Sequence, residues 1–323
     1  NRVAGGRHER VLRDSIEQAA EVPVIGSVRK LGLECFPQRH LGLLSLQEHP
    51  GALKFVSEAA DIAERHIDLD GFSAIAHSAG EFPPALLEAP GVSGSGGPRE
   101  VAIGILKDSA FQFYYPENLE ALERGGARLV EISALASREL PELDGLYIGG
   151  GFPETHAERL ARNSVFRDSL LRRAAQGLPV YAECGGLMYL SRSIRIDEKV
   201  FPMVGVLPVD TVLERKPQGL GYIRVRVVAE NPFYPVGAEL AGHEFHYSRL
   251  SGLDAGAETC AFAVLRGHGM DGARDGICRW NTLGTYVHVH ALGEALWAEG
   301  LLKRAGEFRN SRIASCPRVL ARG

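Results

Sequence analysis

The apolar positions of the chain change their period several times, and each change marks an element. Over RHERVLRDSIEQAA, Val11, Leu12, Ile16 and Ala19 or Ala20 recur at helical spacing and predict an amphipathic helix. VPVIGSV is a continuous apolar run of the kind buried in a parallel sheet. A basic, loop-like stretch, RKLGLECFPQRHLGLLS, comes next. The pattern then predicts a helix from about Gly51 to Ile67, continuing irregularly to about Ala79. APGVSGSGGPRE concentrates Gly, Ser and Pro and reads as a flexible linker.

Beyond the linker, apolar strands alternate with amphipathic helices. EVAIGIL, ARLVEIS, GLYIGGG and LPVYAE are the strands; PENLEALERGG, PETHAERLARN and SVFRDSLLRRAAQG are the helices. Pro116 opens the first of these helices and glycines close it, the usual asymmetry. The alternation predicts an α/β domain with a doubly wound parallel sheet. From about Pro202 to Val289 the text turns to short strands such as GYIRVRVVA and TLGTYVHV, and ALGEALWAEGLLKRAG is the last helix.

Composition narrows the field. With 323 residues, 45% hydrophobic and 24% charged, the chain reads as about two soluble globular domains. A net charge of −4 gives no basic footprint for nucleic acid. No apolar run approaches the ~20 residues that span a bilayer, and NRVAGGRHERV has no signal-peptide core. A cytoplasmic protein with neither nucleic-acid nor membrane partners is the expectation. The five cysteines are scattered with no C-x-x-C pair, which argues against a disulfide framework and against a zinc site. Cys35, Cys260, Cys278 and Cys316 read as packing or surface residues.

Cys184 differs from the other four. In PVYAECGGLMYL it follows an apolar strand and precedes two glycines and the start of a helix. A strand–Cys–Gly–Gly–helix turn lifts its side chain above the sheet edge as a nucleophile. The helix start adds partial positive charge that favours thiolate. Such a thiol needs a base, and GTYVHVH offers His288 and His290 at a predicted strand end, two apart and so on one face. One serves as base and the other as its orienting group, or both are structural. Gly149, Gly150 and Gly151 end another strand and free the backbone for an oxyanion hole. His243, Glu244 and His246 in GHEFHYSRL lack a third ligand at familiar spacing, so no metal site is expected. No G-x-x-x-x-G-K-[ST] phosphate loop occurs in the chain.

Five motifs, DSAFQFYYPENLEALERGGA, DGLYIGGGFPETHAERL, PVYAECGGLMYL, GHEFHYS and YVHVH, together resemble the cobyrinic acid a,c-diamide synthase family of glutamine amidotransferases. The resemblance implies part of a P-loop, dethiobiotin-synthetase-like domain over 1–88, a linker over 89–99, a class I glutamine amidotransferase-like domain over 100–306 and a tail over 307–323. It implies glutamine hydrolysis at Cys184 with His288 as base, and an oxyanion held by backbone N–H groups of Gly150, Gly151 and Gly185. ATP and Mg2+ would then drive amidation of the a- and c-acetate carboxylates of a tetrapyrrole, cobyrinate, in an assembly expected to be a homodimer. Hydrogenobyrinate, nickel sirohydrochlorin or sirohaem as the ring, a stand-alone glutaminase or thiol peptidase, and a non-catalytic binding module are the competing readings.

Two departures from the pattern stand out. Where many class I amidotransferases carry glutamate two residues after the histidine, this chain has His290, which leaves the orienting group open between His290 and Glu183. The missing phosphate loop suggests an N-terminally incomplete copy. Within 1–88, Asn1 is the candidate contact to the nucleotide base, and Arg29, Arg39 and His40 are candidates to face phosphate or substrate carboxylates. Phe111, Phe113, Tyr114 and Tyr115 either line the macrocycle's approach or pack in the core.

Overall fold

The computed structural model describes residues 2–30, 51–80, 101–253 and 259–315. Asn1, Cys35, Arg39, His40, Cys316 and the linker region fall outside them. The chain divides into two compact units, Asn1–Glu88 and Ala89–Gly323.

In the first unit the predicted helix forms as Gly6–Ala20, with Val11, Leu12 and Ile16 all exposed. The second predicted helix is two: Ala52–His66 ends at an extended Ile67, and Leu69–Ser78 begins anew. Asp68 explains the restart. Its side chain accepts the Gly71 N–H at 2.9 Å and caps the new helix. The VPVIGSV segment does not become a ladder strand. Val3 pairs singly with Arg29, and Gly26 singly with Ile67. A strand is sustained by a neighbour along its length, and these isolated bridges give it none.

The second unit is built on a nine-stranded sheet. Its spatial order is Glu239–His246, Gly219–Val227, Thr259–Arg266, Arg274–Arg279, Thr282–Thr285, Val180–Glu183, Gly145–Ile148, Val101–Leu106, Ala127–Ile132. The last five in that order run parallel, as the β/α alternation predicts. The first four extend the same sheet antiparallel rather than forming a separate layer. A small second sheet joins Ser248–Ser251, Asp210–Leu213, Ser193–Ile196 and Lys199–Pro202.

Side chains of successive strand residues feed two cores, one on each face of the large sheet. From the strand Gly145–Ile148, Leu146 and Ile148 join Val180, Phe166 and Leu170. Tyr147, between them, joins Tyr181, Leu122, Trp297 and Leu301 on the other face. The C-terminal helix runs over Ala295–Ser315, so nine residues assigned to the tail by sequence are helical. Nothing after Gly306 breaks the helix, Phe308 packs against one core, and Arg312 pairs with Asp144 and Glu142 at 3.0 Å. No helix of the described residues is long and apolar enough to cross a membrane.

Candidate active site

Cys184 occupies the one-residue turn between the strand Val180–Glu183 and the helix Gly185–Leu190, at φ 45°, ψ −96°. That backbone is unfavourable for any residue with a Cβ, and strain of this kind costs on the order of 1–3 kcal/mol. The surroundings enforce it. The Cys184 N–H donates to Thr285 O at 2.8 Å on the neighbouring parallel strand. A Cβ on Gly186 would lie 2.4 Å from Ile148 O, so the helix must start against the sheet with a glycine there. A Cβ on Gly185 would come within 2.9 Å of Gly151 N, which brings the backbone after the cysteine against the glycine bend. The bend itself is pinned. Gly149 N–H donates to the Tyr114 hydroxyl at 2.9 Å, and that hydroxyl donates to Leu106 O.

The strand Thr282–Thr285 ends before the histidine pair, and Val287 N–H turns back onto Thr285 Oγ1 at 3.0 Å. His288 is then held by reciprocal backbone bonds to His243, at 2.8 and 3.1 Å. Its ring is enclosed on several sides. Nδ1 lies 3.4 Å from Glu183 Oε2, which leaves Nε2 for Cys184. Cε1 points at Gly150, where a Cβ would sit 2.8 Å away. One face stacks on His243, with centroids 4.8 Å apart and planes at 17°. Glu183 also accepts from the Tyr147 hydroxyl at 3.1 Å, and its Oε1 is buried with no hydrogen-bond partner.

Electrostatics follow from these contacts. Burial works hardest against a charged His288, but its hydrogen bonds to Cys184 and Glu183 and their negative charge outweigh that and hold it at about 10. His243 goes the other way, down to about 4, first because burial disfavours its charge and then because His288 repels a second proton. An imidazolium beside a thiol favours the nucleophilic thiolate.

Cys184, His288, Glu183, Gly150, Gly151 and Gly185 converge at one place. His290 does not join them. Its Nε2 faces Glu117 at 3.5 Å, its Nδ1 accepts the Leu292 N–H, and its ring packs on Tyr115. The two-residue rule fails because the chain is no longer a regular strand after Thr285. Of the aromatics, Phe111 and Tyr114 are structural, whereas Tyr115 reaches His243, its hydroxyl 3.3 Å from Nδ1. His243 and Tyr147 are the site neighbours that sequence reading passed over; the glycine before His243 was the available signal. A Cβ on Gly242 would lie 2.3 Å from His288 O, so glycine is what lets this strand approach the site. In the first unit, Arg29 lines a cleft of about 490 Å3 with Arg13, Arg65 and Asp68. There Arg13 faces Glu9 and Glu17 and Arg65 faces Asp61.

A strained cysteine elbow on an α/β sheet, backed by an imidazole and a carboxylate, is an arrangement suited to the thiol-dependent acyl-transfer class of chemistry. Within that class, the chain belongs to the CobB/CobQ-like glutamine amidotransferase family, whose domain model matches residues 102–296. It is 41% identical to a protein named cobyrinate a,c-diamide synthase from Magnetococcus marinus, over 94% of this chain and 65% of that one. It is 40% identical to a protein of the same name from Archaeoglobus fulgidus, again over 94% and 65%. The chain thus spans 65% of the length of these two relatives. Among solved structures, a glutamine amidotransferase aligns at 21% identity with a TM-score of 0.47, over 63% of this chain and 98% of that one.

Proposed function

We propose that this chain hydrolyses glutamine at Cys184 and uses the ammonia to amidate the a- and c-acetate carboxylates of cobyrinate. What supports the glutamine half is one observation: a cysteine on a strained elbow shares its histidine with the buried carboxylate of Glu183. In this reading the Cys184 sulfur attacks the carboxamide carbon, and the developing oxyanion is met by backbone N–H groups of Gly151 and Gly185. Collapse of the adduct breaks the C–N bond, and His288 gives its proton to the departing nitrogen as ammonia leaves. Water, deprotonated by His288, then attacks the glutamyl thioester and releases glutamate and the free thiol. Glu183 keeps the imidazole oriented throughout and stabilises its charged form whenever it carries the second proton.

The ligation half rests on the relatives' name and on the chemistry of amide formation, since a carboxylate must be activated before ammonia can displace its oxygen. ATP with Mg2+ is the proposed activator. The residues in hand do not fit it well. The chain has no G-x-x-x-x-G-K-[ST] motif, and among the described residues no three His, Cys, Asp or Glu side chains are grouped to hold a metal. The steps above therefore involve only this chain's own side chains. Arg29 remains a proposed contact for phosphate or ring carboxylates.

The deciding experiment assays the intact protein with cobyrinate and ATP, supplying nitrogen as glutamine or as ammonium. Cys184→Ala is expected to lose amidation from glutamine and keep it from ammonium. Undiminished use of glutamine by Cys184→Ala would remove the proposed nucleophile. Running hydrogenobyrinate, nickel sirohydrochlorin and sirohaem beside cobyrinate identifies the ring.

A further inference from the structure

His243 makes no bond to the cysteine, yet it is the residue most closely married to His288. The two backbones exchange both hydrogen bonds, at 2.8 and 3.1 Å, outside any regular strand pair. Their rings lie 4.8 Å apart and nearly parallel, at 17°. Such a stack is not the geometry of a proton relay, because neither ring presents a nitrogen lone pair to the other's N–H. It is the geometry of a neutral π-face laid on a cation.

The far side of the His243 ring is fixed in turn. The Tyr115 hydroxyl lies 3.3 Å from His243 Nδ1, and the two rings meet edge-on at 6.1 Å. Tyr115 sits at the N-cap of the helix Pro116–Arg124, whose Ala121 and Leu122 share a core with Val287 and Val289 on either side of His288. The ring of His288 thus has Glu183 on Nδ1, Gly150 against Cε1 and the Tyr115-braced His243 across one face. Glu183 and Cys184 engage the ring nitrogens in its plane, and the stack adds a restraint on the face of the imidazole that those bonds leave open.

We infer that His243 is a positioning residue for the reaction: its ring, braced by Tyr115, holds the His288 imidazole in the orientation that Cys184 requires. The inference rests on the reading of Cys184 and His288 as the reacting pair. It gives the GHEFHYS segment a role in glutamine hydrolysis rather than in metal binding or in the core alone.

The test uses the intact protein and three variants: His243→Ala, His243→Phe and Tyr115→Phe. His243→Ala is expected to lower kcat for glutamine hydrolysis about 10-fold or more while KM stays within about two-fold, since orientation and not binding is lost. His243→Phe restores the flat ring without a titratable nitrogen and is expected to recover most of kcat; Tyr115→Phe removes the same hydrogen bond to the ring while leaving the stack, and is expected to retain about as much. Wild-type kcat in His243→Ala, or a Phe variant as poor as Ala, overturns the inference. Ring 15N and 13C spectra of His288, assigned through His288→Gln, are recorded on the same samples. His243→Ala should broaden or shift them and His243→Phe should not. If Cys184→Ala still hydrolyses glutamine, the reacting-pair reading fails on its own; the spectra then still decide, because an unchanged His288 signal in His243→Ala refutes positioning.

Discussion

The carboxylate of Glu183 lies 3.4 Å from Nδ1 of His288, although Glu183 is the residue immediately before Cys184 in the chain. Successive residues of a strand point to opposite faces. The turn at Cys184 cancels that alternation for its side chain: at φ 45° the sulfur is swung back toward the strand end where Glu183 and the incoming His288 meet. Parallel register pairs Thr285 with Glu183, and three further residues bring His288 over both. The nucleophile and the orienting acid are thus adjacent in sequence and are joined through an imidazole a hundred positions later.

Replacing that acid isolates its contribution. Glu183→Gln keeps the shape and the Tyr147 contact but removes the charge. Loss of the analogous carboxylate in a serine protease triad costs ~10⁴ in kcat. Here a fall of at least about 100-fold in kcat for glutamine hydrolysis, with KM little changed, is expected. Glu183 is also one of the groups that raise His288. The alkaline limb of the pH–rate profile should therefore move to lower pH in Glu183→Gln, and a limb that stays put would separate Glu183 from His288.

His290 gives the opposite expectation. It is about a third exposed and its partners are Glu117, Leu292 N–H and the Tyr115 ring. His290→Ala should leave glutamine turnover within about two-fold and stability within about 0.5 kcal/mol, as exposed substitutions usually do. A large loss of kcat in this variant, measured beside Glu183→Gln, would return His290 to the site.

These two residues also mark how far the text of the chain could be read. The elbow was legible because its cause is local: an apolar strand, a thiol and two glycines leave few conformations open. The parallel half of the sheet was legible because β/α alternation is also a local pattern. The choice between Glu183 and His290 was not. Reading YVHVH as strand places 288 and 290 on one face, but the regular strand ends at Thr285 and the histidine is positioned by His243, 45 residues earlier in the chain. VPVIGSV misled for a related reason, since its apolar run describes a strand only if neighbours pair along it. Gly242 carried a readable sign of close approach, but what it approaches, His288 O, is set by tertiary contact alone.

The strained turn predicts a trade between stability and activity. At φ 45° the Cβ of residue 184 is a liability that only glycine escapes. Cys184→Gly and Cys184→Ala are both expected to be inactive with glutamine, but Cys184→Gly should be the more stable of the two by about 1 kcal/mol, even after glycine's greater unfolded-state entropy is counted. Equilibrium urea melts of the two inactive variants measure this directly. Equal midpoints would mean that the turn is relaxed in solution.

The stacked pair of imidazoles makes stability depend on pH in a definable window. His243 titrates at about 4 in the folded protein, burial being the larger cause and the charge of His288 the second, against about 6.5 for an unfolded histidine. Between those values the unfolded chain binds the extra proton, so unfolding becomes easier as pH falls. The contribution of neutral, half-buried His243 is fully present above about pH 6.5 and is lost as the pH drops toward 4. At its steepest the slope is on the order of 1 kcal/mol per pH unit. Other groups titrate in the same range, so the variant is the measurement. His243→Phe keeps the ring and removes the proton site, and its stability should fall less steeply between pH 6.5 and 4 than that of the wild type. The groups facing His243 are His288 and Tyr115, with Tyr222 opposite it on the neighbouring strand. None of these is replaced in the variant, so the difference between the two urea-denaturation curves against pH belongs to His243. Parallel curves for the two proteins would show that His243 is already solvated and free to protonate, and that the stack does not persist in solution.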